Sequence, residues 1–90
     1  MNYLHYEFDL SEDDVVEVTL EGQANVRLLD PENYSLYSRG ERHTYADGGF
    51  ARESPVELSP PHAGHWHVVV DLGGYPGTIR AGVRVLKGAS

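Results

Sequence analysis

The chain contains no cysteine, which excludes a disulfide framework, a thiolate metal site and a cysteine nucleophile, and fits a reducing, cytoplasmic setting. Positive charge is scarce: seven Lys and Arg stand against fourteen Asp and Glu, a formal net charge of −7. Phosphate-backbone binding depends on clustered Lys and Arg, so nucleic acid is not an expected partner. Long apolar runs are also missing. The best stretch, Trp66 to Val70, falls far short of the roughly 20 residues needed to span a bilayer. Met1 to Asp14 has neither the basic start nor the apolar stretch of a signal peptide, and no membrane association is expected. Ninety residues form a single domain, residues 1–90. A domain of that size buries only about 60 to 65% of the surface its unfolded chain exposes, which leaves little room for a deep cavity.

What the sequence does hold is alternation. Leu4, Tyr6, Phe8 and Leu10 alternate with His5, Glu7 and Asp9, the period of two that turns one strand face to a core and the other to water. Val16, Val18 and Leu20 repeat the pattern, as do Ala24, Val26 and Leu28, which predicts an antiparallel meander of three strands. One short helix is expected over residues 31–39: Asp30 suits the N-cap, Pro31 the first helical position and Gly40 the left-handed terminus. Tyr34 and Tyr37 share one of its faces, and we expect the helix to lie as a lid across an open end of the sheets. Asp47-Gly48-Gly49 marks a turn between short extended pieces at His43 to Tyr45 and Phe50 to Arg52. Pro55 to Leu58 can form an edge strand. Trp66, Val68, Val70 and Leu72 alternate inward, as do Ile79, Ala81, Val83 and Val85, and the loop Gly73 to Gly77 joins them in a final hairpin. The expected fold is all-β: an antiparallel, jelly-roll-like β-sandwich of about seven strands with one helix.

The candidate chemistry sits on the strand after Pro60-Pro61. His65, His67 and Asp71 share the face opposite Trp66, an order that matches the first half of the metal motif of cupins, in which imidazole and carboxylate hold Fe, Mn, Ni or Zn. The match is partial, since Ser59 stands where cupins keep a glycine and no second motif follows residue 71. With Trp66 facing the interior, the histidines point outward. Pairing the last two strands places Asp71 opposite Arg80 and His67 opposite Arg84, and arginine beside histidine disfavours a bound cation. His62, His65, His67 and Asp71 are the metal candidates, with zinc the best-suited ion, against the plainer expectation of ordinary hydrogen-bonded and solvated surface residues and no cofactor. No serine lies in a nucleophile-elbow context, and Gly73-Gly74 is followed by neither a helix nor a lysine of a phosphate loop. Among the six tyrosines, Tyr34, Tyr37 and Tyr75, with the neighbourhood of Trp66, are expected to frame a shallow aromatic patch at one end of the sandwich.

The run Pro60-Pro61-His62-Ala63-Gly64-His65-Trp66-His67-Val68-Val69-Val70-Asp71-Leu72-Gly73-Gly74, with Asn25 to Asp30 before it and Gly77 to Leu86 after it, resembles the small bacterial family DUF1883, a domain of unknown function. The resemblance covers nearly the whole chain. It implies a fold, and it implies a context of stand-alone bacterial proteins and modules attached to TIR-type signalling domains. The strand layout is also similar to the jelly-roll sandwiches of carbohydrate-binding and GOLD-type modules, a likeness of fold that carries no function. The expectation is a non-catalytic recognition module for a protein partner or small ligand, with a homodimer through an edge strand or the tyrosine-bearing end as one arrangement. The alternatives are a small cupin-like metal-dependent enzyme using His65, His67 and Asp71, and a carbohydrate-binding module.

Overall fold

The computed structural model describes residues 2–88. Seven strands and one helix follow in the order β1 (Tyr3–Leu10), β2 (Val15–Leu20), β3 (Ala24–Leu29), α1 (Pro31–Ser38), β4 (Asp47–Ala51), β5 (Val56–Leu58), β6 (Gly64–Asp71) and β7 (Ala81–Leu86). They form two antiparallel sheets, one of four strands in the order β1-β6-β3-β4 and one of three in the order β5-β2-β7. The alternating residues meet between the sheets. Val16, Val18 and Leu58 from one sheet pack on Val26, Leu28, Trp66, Val68 and Val70 from the other. This is an all-β sandwich. No helix among the described residues is long and apolar enough to cross a membrane.

The strands are where the periodicity puts them, and their neighbours are different. The expected meander of β1, β2 and β3 does not form, because β2 belongs to the opposite sheet and pairs with β5 and β7. The final hairpin does not form either. β6 runs between β1 and β3, while β7 crosses to pair with β2. Arg84 therefore faces Glu17, with Nε 2.7 Å from its carboxylate, and Arg80 faces Glu21 at 3.8 Å, far from the histidine strand. The physical reason is visible in β6 itself. Val69 stands on its outward face, so both faces carry apolar surface, and a strand of that kind is stable in a sheet interior covered on both sides. In register, Glu7 lies opposite His67 and Asp9 opposite His65, cross-strand partners of complementary chemistry.

Helix α1 forms as its caps dictate. The Asp30 side chain accepts a hydrogen bond from the Asn33 amide at 2.7 Å, and Gly40 takes φ +72° beyond the last turn. It does not close an end of the sandwich. It lies on the outer face of the four-stranded sheet, where Tyr37 packs on Leu29 and Val69, flanked by Tyr3 and Tyr34. Burying Leu29 and Val69 there contributes roughly 1.5–3 kcal/mol each.

Asp47-Gly48-Gly49 is strand, not turn, and His43 to Tyr45 is an irregular connection. The glycines are there because β4 runs unusually close to β3: a Cβ on Gly48 would lie 2.0 Å from the Val26 carbonyl oxygen, at φ +116°. Gly48→Ala should therefore lower stability by at least about 1–3 kcal/mol from the backbone conformation alone. Gly82→Ala, whose Cβ meets nothing within 4 Å, should leave the urea midpoint close to that of the unaltered chain. Equal midpoints for the two variants would show that β4 does not sit against β3 in this way.

Candidate functional site

Under the helix, β6 ends in a buried carboxylate. Asp71 is 1% exposed, and its oxygens accept from the Tyr37 hydroxyl at 2.5 Å, Asn25 Nδ2 at 2.9 Å and the Gly73 amide at 2.8 Å. Arg27 Nη1 stands 3.5 Å away. Burial alone would raise the carboxyl pKa, but the bonds from Tyr37, Asn25 and Gly73 and the Arg27 charge together outweigh it and hold the group below the ordinary carboxylate range. Tyr37 responds in the opposite sense, its phenol pushed far up by burial and then by the Asp71 carboxylate. Among the described residues, no buried side-chain nitrogen or oxygen lacks a partner.

Farther along the same outer face, β1 and β6 bring His5, Glu7, His65 and His67 together. His5 Nε2 and His67 Nδ1 are 2.8 Å apart, and the two ring planes lie within 13° of parallel. Tyr34, reaching down from α1, stacks on both, 4.1 Å from the His5 ring and 4.4 Å from that of His67. His67 is 7% exposed, and burial, partly offset by Glu7, lowers its pKa and favours the neutral ring. His65 sits at the rim between Glu7 (3.0 Å) and Asp9 (2.8 Å). Those two carboxylates raise its pKa, and the bond from His65 in turn lowers that of Glu7.

The comparisons with known proteins add one finding. The family model described as Domain of unknown function (DUF1883) matches residues 1–89. The chain belongs to this family. No curated protein and no solved structure matches the chain significantly.

In this DUF1883 domain the residues nominated from sequence scatter. His65 and His67 adjoin, with ring centroids 5.1 Å apart, but Asp71 is committed to the Tyr37 network and takes no part in a cluster with them. His62 lies beside Trp66, whose indole N–H donates to the His62 carbonyl at 3.1 Å. The expectation that His67 and Asp71 are solvated is corrected: α1 covers that face and both are buried. Nor do the aromatics frame one patch. Trp66 is in the sandwich core, Tyr34 and Tyr37 are on the helix, and Tyr75 is 80% exposed in the β6–β7 loop, which crosses between sheets and is not a hairpin turn. His5 and Glu7 were missed as site residues. The signal for them is the alternation of β1, which puts His5, Glu7 and Asp9 on one face, once β1 is paired with β6.

Beside the Asp71 network a cleft of about 430 Å³ opens, lined by Arg27, Tyr37, Glu41, His43, Tyr45 and Asp71 among others. Arg27 crosses it, its guanidinium 5.3 Å from the centre of the Tyr45 ring. The network beneath sets a pH dependence. A carboxyl whose folded pKa is depressed contributes stability that is complete above its unfolded value of about 3.9 and is lost as pH falls through the folded value. Urea midpoints should therefore fall below about pH 4, and Asp71→Asn should remove part of that acid dependence. At neutral pH, Asp71→Ala should cost about 3–5 kcal/mol by stranding Tyr37, Asn25 and Arg27. An Asp71→Asn protein with an unaltered acid limb would assign the dependence to other carboxylates.

Proposed function

We propose that this DUF1883 domain is a non-catalytic recognition module that seats a small polar ligand, one bearing a carboxylate or a similar planar acceptor, in the cleft between β3 and the segment after α1. The observation that carries the reading is Arg27. Its guanidinium offers five donors, is held by Asp71 and the Tyr45 ring, and makes a single polar contact among the described residues. An arginine fixed in this way reads a planar acceptor in two-point fashion with little ordering cost left to meet. Tyr45, 46% exposed, supplies a face for the ligand's apolar part.

The arrangement favours holding over reacting. The Asp71 oxygens are occupied by several donors at once, which suits a positioning group better than a proton-transferring one. The cupin-like reading through His65, His67 and Asp71 loses its carboxylate to the same network. A recognition role also suits the association with TIR-type signalling that the family resemblance implies.

Sugar binding is favoured by a different observation. Phe50 and Tyr75 are both exposed and line one cleft of about 280 Å³ with Pro76. Titrating isotope-labelled protein with small mono- and dicarboxylates and with simple sugars separates the two readings. Saturable shifts at Gly40, Tyr45 and Gly73 with carboxylates are expected, weakened about tenfold or more by Arg27→Lys, the loss of roughly 1.4 kcal/mol. Shifts confined to Phe50 and Tyr75 with sugars would replace the proposal, and no shift at Arg27 and Tyr45 with any of these ligands would remove it.

A further inference from the structure

The histidine cluster on the other flank of α1 shares no residue with the Arg27 cleft, and its geometry is that of a ligand set. His5, Glu7 and His67 each bring one ligand-capable atom into a group, all within 4.8 Å of one another. His5 Nε2 and His67 Nδ1 are 2.8 Å apart, and His67 Nδ1 is 3.8 Å from Glu7 Oε1. Around a tetrahedral zinc ion with bonds of about 2.0–2.2 Å, neighbouring donors stand about 3.3–3.5 Å apart. One of these separations is somewhat shorter than that edge and the other somewhat longer, while the third, His5 to Glu7, lies within 4.8 Å, so side-chain adjustments of up to about an ångström draw the set around the ion.

The surroundings hold these groups in place. Tyr34 stacks within 9° of the His5 plane and 3° of the His67 plane, which fixes both imidazoles. His65 bonds the same Glu7 oxygen, Oε1, that faces His67, and is itself held by Asp9, the kind of outer partner that orients a ligating carboxylate. Two rigid, adjacent strands carry all three ligands, with Glu7 directly opposite His67 in the register. The Glu7 side is open, its side chain 53% exposed, so an ion can enter from solvent and keep a position free.

We propose that His5, Glu7 and His67 form a binding site for a divalent cation of the zinc class, with a fourth position open to water or an anionic ligand. Imidazole and carboxylate donors suit zinc and its late first-row neighbours, whereas magnesium and calcium prefer oxygen alone. The proton now shared between His5 Nε2 and His67 Nδ1 passes to the other nitrogen of the ring that holds it. Both rings then bind as neutral ligands, and the ion takes the place of one hydrogen bond.

The test is calorimetric titration of chelator-treated protein with zinc chloride, beside visible spectra with cobalt(II). About one equivalent of zinc is expected, with cobalt bands of four- or five-coordinate intensity. Glu7→Gln and His5→Gln should each weaken zinc binding by more than the roughly 10–100-fold that an outer partner commands, and His65→Gln by roughly that factor. His62→Gln should leave binding unchanged. Glu7 is exposed and its variant keeps the fold, which thermal denaturation of the metal-free proteins checks. Zinc uptake that is absent in the unaltered protein, undiminished in Glu7→Gln or in His5→Gln, or lost in His62→Gln overturns the proposal.

Discussion

A buried carboxylate holds the outer half of this molecule together. Asp71 closes β6, and its four partners come from three different segments: Tyr37 from α1, Asn25 and Arg27 from β3, and the Gly73 amide from the loop that leaves the sheet. Taking a carboxylate out of water costs several kcal/mol unless its lone pairs are filled, so each partner is held as firmly as it holds. The helix is where this matters most. Eight residues are too few for a helix to be stable on its own in water, and α1 exists because Tyr37 combines apolar burial on Leu29 and Val69 with a hydroxyl bond to Asp71. Without that anchor the Arg27 cleft loses a wall and the histidines lose the ring that covers them.

The strands, the inward faces and the helix were legible because each depends on local chemistry. Alternation identified Val16, Val26, Val68 and Val70 as core, and Asp30, Pro31 and Gly40 bounded the helix. Pairing is a long-range matter, and there the assumption that chain neighbours are sheet neighbours, true roughly two-thirds of the time, failed twice. Val69 and Leu29 carried the missing information. An apolar residue on the supposedly wet face of a strand means that something covers it, and only α1 was available to do so. Gly48 and Gly49 misled for a related reason. The same glycines that make turns permit the close approach of β4 to the Val26 carbonyl, and nothing local distinguishes the two uses.

The site was half legible. His65, His67 and Asp71 were placed correctly on one outward face, but residues four apart on a strand are about 13 Å apart along it, too far for one site to use both ends. What converges is across strands. His5 and Glu7 reach His67 from β1, and Arg27 reaches Asp71 from β3, so β6 supplies one member to each of two separate groups.

Those two groups are mechanically linked through α1. Tyr34 lies over His5 and His67, Tyr37 is bonded to Asp71, and the two tyrosines are three residues apart on one helix face. Tyr3 ties them further, its hydroxyl 3.0 Å from that of Tyr34 and its ring 5.0 Å from that of Tyr37. Tyr34 has its own phenol pKa pushed up to about 12, first by that bond to Tyr3 and then by burial, so it remains a neutral cover over the imidazoles throughout the physiological range. A helix anchored at one tyrosine cannot shift the other independently. The position of the Tyr34 ring over the histidines is therefore set by the same Asp71 carboxylate that holds Arg27 in its cleft, and the outer face behaves as one structural unit with two chemically different flanks.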